Sequence, residues 1–309
     1  MTCSTKYYTD YASVLHGFFP NRVQKISVNA GFTCPNRDGS KGVGGCTYCN
    51  NLSFSPQYCQ PEKSVTEQVL NGIEFFRYKY TTQHYLVYFQ SYTNTYANFE
   101  KLKAIYEEAL SIPGVVGMVI GTRPDCVSDE LLDYLASIAK NKYVMVEYGV
   151  ESVYDSTLAD INRGHSFSDS IAAIQKTAKR TIHVGAHLIM GLPHETREML
   201  LAATDALNTL PINALKLHQL QLIRGTSMAE QYKQHPDWFQ FFELDDYIEL
   251  LVDFLERLHP SIAIERFVSQ SPKELLILPQ WGLKNFEFTD KLKKRLSERN
   301  TWQGKLVKL

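Results

Sequence analysis

Six apolar, β-rich runs, evenly spaced and each followed by a helix-like segment, constrain this 309-residue chain more than any other feature. They fall at residues 23–31, 84–90, 114–123, 143–152, 183–192 and 214–223. Polar alternation is weak in all of them, which suits parallel strands buried on both faces. The segments between them carry helix start signals. Residues 64–80 open on Ser64 and Glu67, the spacing of a capping box. Ser128 stands as N-cap before "DELLDYLASIAK", and residues 97–111 read as a further helix. The pattern is one of repeated βα units around a parallel sheet. Apolar residues make up 44% of the chain, enough for a large core and too many for global disorder.

A doubly wound sheet and a barrel share this rhythm. Barrels gather functional residues just beyond the C-terminal strand ends, and polar clusters follow every run here. They are a cysteine loop, then "QSYTNTY", "TRPDC", "GVES", "GLPHET" and "IRGTS". The expected fold is therefore α/β, a partial (β/α)6 TIM barrel with one mouth, over residues 23–243. Residues 1–22 form a leading segment. Residues 244–309 form a C-terminal helical and basic extension that completes or flanks the barrel. Within it, residues 245–258 predict a helix with a solvated acidic face, and residues 263–270 offer one further strand. From Lys284 to Leu309, eight Lys/Arg stand against three acidic residues, a local charge of +5 in a chain whose net charge is −1. Such a tail is compatible with phosphate contacts.

The first residues hold no apolar run fit for a signal peptide, and no later segment is apolar enough to span a bilayer. A cytoplasmic protein is expected, in which thiols stay reduced and clustered cysteines serve metals or catalysis. Cys34, Cys46 and Cys49 form such a cluster, in the pattern C-x11-C-x2-C. Gly39, Gly42, Gly44 and Gly45 let the loop fold back through conformations closed to other residues. Three thiolates suit a [4Fe–4S] cube with one iron left open. A zinc site closed by Cys59 is the competing arrangement. Cys3 and Cys126 read as idle or buried thiols, with hydrogen-atom donation a lesser role for Cys126.

With Tyr48 just before its last cysteine, the loop is similar to the cluster loop of the radical S-adenosylmethionine (SAM) superfamily, where the first gap is usually shorter. "TRPD" (122–125), "VEYGVESVYDSTLADINRGHS" (146–166), "HLIMGLPHET" (187–196) and "KLHQLQLIRGTSM" (216–228) follow it. Their order is that of the Elongator catalytic subunit's radical SAM domain. The chain most resembles the bacterial YhcC/YtqA-type family of Elongator-like proteins, over about residues 23–270. That resemblance implies a cluster on Cys34, Cys46 and Cys49 whose open iron takes SAM. Reductive cleavage of SAM then yields methionine and a 5′-deoxyadenosyl radical, which abstracts hydrogen from a substrate.

The resemblance also places Tyr48, Gln90, Ser91, Glu151, Arg163 and His187 around SAM. Glu151 approaches the ribose and Arg163 the carboxylate, a partner suited to a guanidinium fork. Gln90 and Ser91 replace the usual Gly-Gly-Glu-like acceptor of the amino group. His187 stands where some relatives have an aspartate for the ribose. Arg123 and Asp125 are expected to brace one another near the mouth. The implied substrate is tRNA, altered on the 5-position side chain of the wobble uridine, such as 5-carboxymethylaminomethyluridine to 5-aminomethyluridine. The implied reductant is a flavodoxin or ferredoxin. Elongator's acetyltransferase domain has no counterpart before Leu309, so the acetyl-CoA-dependent half of its reaction is not expected. Two other readings stand: a radical SAM enzyme on a small molecule, and a non-catalytic zinc or iron–sulfur module.

Overall fold

The computed structural model describes residues 7–53, 55–77 and 83–308. The six expected runs are strands β1 (Arg22–Val28), β2 (Gln83–Phe89), β3 (Val115–Thr122), β4 (Tyr143–Glu151), β5 (His183–Met190) and β6 (Ala214–Gln219). The sixth is shorter than expected, because the chain leaves the sheet after Gln219. Residues Leu222–Ile223 (β7) pair instead, antiparallel, with Leu276–Leu278 (β9). A seventh parallel strand, β8 (Ala263–Arg266), adds to β6, so the sheet runs β1-β2-β3-β4-β5-β6-β8. Lys25 Nζ of β1 lies 2.6 Å from Glu265 Oε2 of β8. The sheet has therefore curled until its two edges meet across the interior, as a partial barrel does.

Ten helices accompany the sheet among the described residues. Helix α1 (Tyr11–Phe18) starts at Asp10, whose carboxylate accepts from Ser13 N at 3.0 Å. Tyr11 and Leu15 pack with Leu86, Val119, Met145, Ala214 and Ala263 from inside the strands, so α1 plugs one end of the barrel. The outer helices are α2 (Val65–Arg77), α3 (Phe99–Ser111), α4 (Asp129–Ala139), α5 (Asp155–Asp160), α6 (Phe167–Ala178) and α7 (Arg197–Asn208). Then come α8 (Ser227–Gln234), α9 (Leu244–Arg257) and α10 (Asn285–Glu298). Two expected caps are present: Ser64 Oγ accepts from Glu67 N, and Ser128 Oγ from Leu131 N, each at 3.1 Å. The end of the expected 64–80 helix, and Cys3, lie outside the described residues.

The acidic face of α9 is not simply solvated. Arg299 Nη1 lies 3.0 Å from Glu249 and 2.8 Å from Asp253, and Arg295 also pairs with Glu249. Two of the tail's basic residues thus fasten α10 and its C-terminal end to α9. The complementary charge of the two segments is a packing device.

Above the α1 plug the interior is charged. Glu147 Oε1 binds Lys25 at 2.8 Å and Glu147 Oε2 binds Lys216 at 2.6 Å. Glu265 closes the ring, 2.6 Å from Lys25 and 3.1 Å from Lys216. Burial alone would raise the Glu147 carboxyl, but Lys216 and Lys25 outweigh it and hold Glu147 well below the usual carboxylate range. The four charges cancel, which is what makes so buried a group tolerable. Removing one member leaves the others uncompensated. Glu147→Gln is therefore expected to cost about 3–5 kcal/mol in urea unfolding, with part of the loss recovered on adding Lys216→Met. A neutral single variant would contradict this account of the barrel interior.

Candidate active site

The cysteine loop leaves β1 and doubles back. Arg37 N donates to Cys34 O at 2.8 Å, Gly45 N to Asn36 O at 2.8 Å and Cys49 N to Cys46 O at 3.0 Å. Gly39, Gly44 and Gly45 have φ of 90°, 85° and 87°, the left-handed region that glycine enters freely. Gly42 does not, so only three of the four glycines expected to need that freedom use it. Thr47 N donates to Ile161 O at 3.0 Å, which ties the loop to the segment after α5.

Arg163 follows that segment and is the junction of the site. Its Nη2 donates to Gly149 O at 2.7 Å and lies 3.5 Å from Glu151 Oε1, while Nη1 reaches Cys46 Sγ at 3.5 Å. Its own carbonyl accepts from Asn36 Nδ2 at 3.1 Å and from Arg123 Nη1 at 2.7 Å. Burial works against the Arg163 charge, but Tyr48, Cys46 and Glu151 outweigh it and keep the guanidinium protonated. At the end of β4 the register shifts between Gly149 and Glu151, and Glu151 sits at φ +67°. A Cβ on Gly149 would stand 2.4 Å from Glu151 Oε1 and 2.5 Å from Arg163 Nη2, so only glycine permits this approach. The non-glycine positive φ is local strain held in place by the junction.

A cavity of about 230 Å³ opens where these strand ends meet. Cys34, Cys46, Cys49, Tyr48, Gln90, Glu151, Arg163 and His187 all line it. Ser91 does not: it is buried beside the cavity, with its Oγ 3.3 Å from Ser55 Oγ. Arg123 and Asp125 brace one another, as expected, through bonds of 2.9 and 3.0 Å, and Lys41 adds to the pair. Burial would raise Asp125, but Arg123 and Lys41 bring it down to about 2. Cys126 lies behind the wall, and burial pushes its thiol up to about 12.

The donor set suits an iron–sulfur cluster. Among the described residues no three His, Cys, Asp or Glu side chains converge on a point that would hold a single ion. The three loop thiols line one cavity. Burial, then Cys46, push the Cys49 thiol up, and Arg37 and Arg163 offset only part of that rise. Cys59, which a closed zinc site would need, is turned away and donates to Ser27 O at 2.9 Å. Its thiol is pushed up to about 12 by burial. Polar groups are at hand in Gln90, Glu151 and His187, and among the described residues the buried Arg163 Nε has no partner.

Apart from His187, sequence reasoning passed over the floor of this cavity. Tyr88, Glu147, His187 and His218 line it, and Arg266 joins them from β8. His187 Nε2 is 3.0 Å from Glu147 Oε2. The available signal was charge inside largely apolar strands: "VQKIS", "VEYGV" and "LKLHQ" each contain one Lys or Glu, and "AIERF" contains Glu265 and Arg266.

The radical SAM superfamily pattern matches residues 31–207, and the radical SAM C-terminal domain matches residues 212–298. The chain belongs to the radical SAM superfamily and is an enzyme of that class, which implies a [4Fe–4S] cluster and SAM. Within it the chain is of the YhcC/YtqA type. It is 35% identical to YtqA of Bacillus subtilis strain 168 over 291 residues, 94% of this chain and 90% of that one. A tRNA uridine(34) acetyltransferase of Methanocaldococcus infernus is 30% identical over 122 residues, 38% of this chain and 22% of that one. The archaeal Methanocaldococcus infernus Elp3 structure shares the fold, with a TM-score of 0.68 at 18% identity over 91% of this chain and 64% of that chain. No helix among the described residues is long and apolar enough to cross a membrane.

Replacing Cys34, Cys46 or Cys49 with Ala is expected to abolish the brown colour and bound iron of anaerobically reconstituted protein. Cys59→Ala and Cys126→Ala should keep both. Iron, sulfide and absorbance measurements on the five variants decide it, and a retained cluster in Cys46→Ala would refute the ligand assignment.

Proposed function

We propose that this radical SAM enzyme alters the 5-position side chain of the wobble uridine of tRNA, for example converting 5-carboxymethylaminomethyluridine to 5-aminomethyluridine. The observation that supports it is a shared stretch of 122 residues with a protein named as a tRNA uridine(34) acetyltransferase. Cys34, Cys46 and Cys49 hold the cluster, and Tyr48, Gln90, Glu151, Arg163 and His187 hold SAM, with Ser91 acting through the backbone beside Gln90. The bound cofactors supply the electron and the radical that abstracts hydrogen. The chain's part is to orient SAM and substrate and to keep water out, which the cavity's enclosed floor favours. A flavodoxin or ferredoxin supplies the electron. The division at residues 22/23 and 243/244 belongs to the same reading, with the lysines of the extension facing RNA.

A small-molecule substrate is the second reading. What favours it is that Arg295 and Arg299, the tail's two arginines, are engaged by α9 and are not free for phosphate. Nucleoside mass spectrometry of tRNA from a deletion strain separates the two. The tRNA reading predicts a build-up of the unprocessed wobble uridine, reversed by the intact gene and not by the Cys46→Ala gene. An unchanged wobble profile would rule that reading out.

A further inference from the structure

The charges around the cavity balance in groups, and among the described residues two lining cations have no carboxylate: Arg37, which sits against the cysteine loop, and Arg266. Lys25 and Lys216 match Glu147 and Glu265. Arg163 faces Glu151, and Arg123 faces Asp125. Arg37, by the cysteine loop, donates to Cys49 O at 3.1 Å. Arg266 ends β8 and lines the cavity, yet among the described residues its hydrogen bonds go only to His218, and its Nε is buried without a partner. No carboxylate among the described residues pairs with it. A guanidinium so placed is an unsatisfied donor set, and unsatisfied buried donors mark missing ligands or waters.

The neighbours hold this arginine in place and leave its charge unanswered. Arg266 can only donate, and its Nη2 lies 3.0 Å from His218 Nε2 and 3.3 Å from Nδ1, so the ring is its acceptor. His218 Nδ1 also hydrogen-bonds with Ser269 Oγ, at 2.6 Å. Burial, then Arg266, push His218 well below its ordinary value, which keeps it neutral and able to accept. Lys216 faces the same wall, but both glutamates already hold it. The segment after β8 is pinned to β6: Ser269 N donates to Gln219 Oε1 at 2.7 Å, and Gln219 Nε2 to Ser269 O at 2.9 Å. Ser271 Oγ donates to Gln221 Oε1 at 2.7 Å. A recognition group fixed by its surroundings in this way is preorganised for its ligand.

We propose that Arg266, supported by His218 and Ser269, is a receptor on the β6–β8 wall of the cavity for an anionic oxygen group of the substrate, either a carboxylate or a phosphate. The planar fork of an arginine suits both. The tRNA reading enters only through the choice of probes, since a side chain ending in a carboxymethyl group carries such an anion. The cofactor needs of the site are met elsewhere, at Arg163 and the cysteine loop.

Equilibrium dialysis on the anaerobically reconstituted protein with SAM tests this with four probes. They are 5-carboxymethylaminomethyluridine, its methyl ester, uridine 5′-monophosphate and uridine. The carboxylate nucleoside should bind about tenfold more tightly than its ester. Arg266→Gln should bring that ratio to about one, and Arg266→Lys should keep part of it. If the acid and ester bind alike but the monophosphate outbinds uridine through Arg266, the group is a phosphate. The receptor then stands while the carboxymethyl form of the tRNA reading falls. An unmutated protein that prefers neither anion overturns the inference, whether or not the variants fold. So does a preference that survives in Arg266→Gln, or a loss of SAM affinity in that variant, which would place the arginine with the cofactor.

Discussion

Arg163 is the interaction on which the site depends. One guanidinium touches the carbonyl of Gly149, the carboxylate of Glu151 and the sulfur of Cys46, and one carbonyl receives Asn36 and Arg123. Two strand ends, those of β3 and β4, and the cysteine loop that follows β1 are thereby joined through a single residue. The strained Glu151 and the bare Gly149 are consequences of that crowding. A loop with a long first gap between its cysteines would otherwise be mobile, because loops position little on their own account. Here the scaffold positions it.

Beneath the junction the barrel is layered. The apolar plug of α1 shuts one end, the ring of Lys25, Glu147, Lys216 and Glu265 lies above it, and the cavity lies above the ring. An all-apolar interior would have been simpler to stabilise, since buried ion pairs gain little over well-packed hydrophobic residues. The charged layer instead gives the cavity a polar floor. Tyr88 OH accepts from Lys216 at 3.2 Å and His187 meets Glu147 at 3.0 Å, so hydrogen-bonding groups reach upward from a fixed base. A site that must hold a polar cofactor and a polar substrate in a small volume needs such a floor.

The strands were legible because burial on both faces writes each one as a continuous apolar run, and their starts fall within one residue of expectation. The fold class followed from where the polar clusters sit. Cys34, Cys46 and Cys49 were legible by spacing, and Arg163 and Glu151 by resemblance alone. What stayed hidden depends on pairs far apart in the chain. Lys25 meets Glu265 across 240 residues and Lys216 meets Glu147 across 69, and no local periodicity reports such a contact. Ser91 was expected beside the cofactor, and its side chain lies outside the cavity lining while Gln90 is within it, since neighbouring residues at a strand end point to different faces. The acidic face of α9 looked solvated because its partners, Arg295 and Arg299, lie some fifty positions on in α10 and just beyond it.

The account's central claim is that three cysteines, and not four, face the cavity so that one iron stays open to SAM. Electron paramagnetic resonance of the anaerobically reconstituted, dithionite-reduced protein, recorded with and without SAM, tests it most directly. The account predicts the signal of a reduced [4Fe–4S] cluster whose g values shift on adding SAM. A cluster signal that SAM leaves unchanged, or no cluster signal at all, would contradict it.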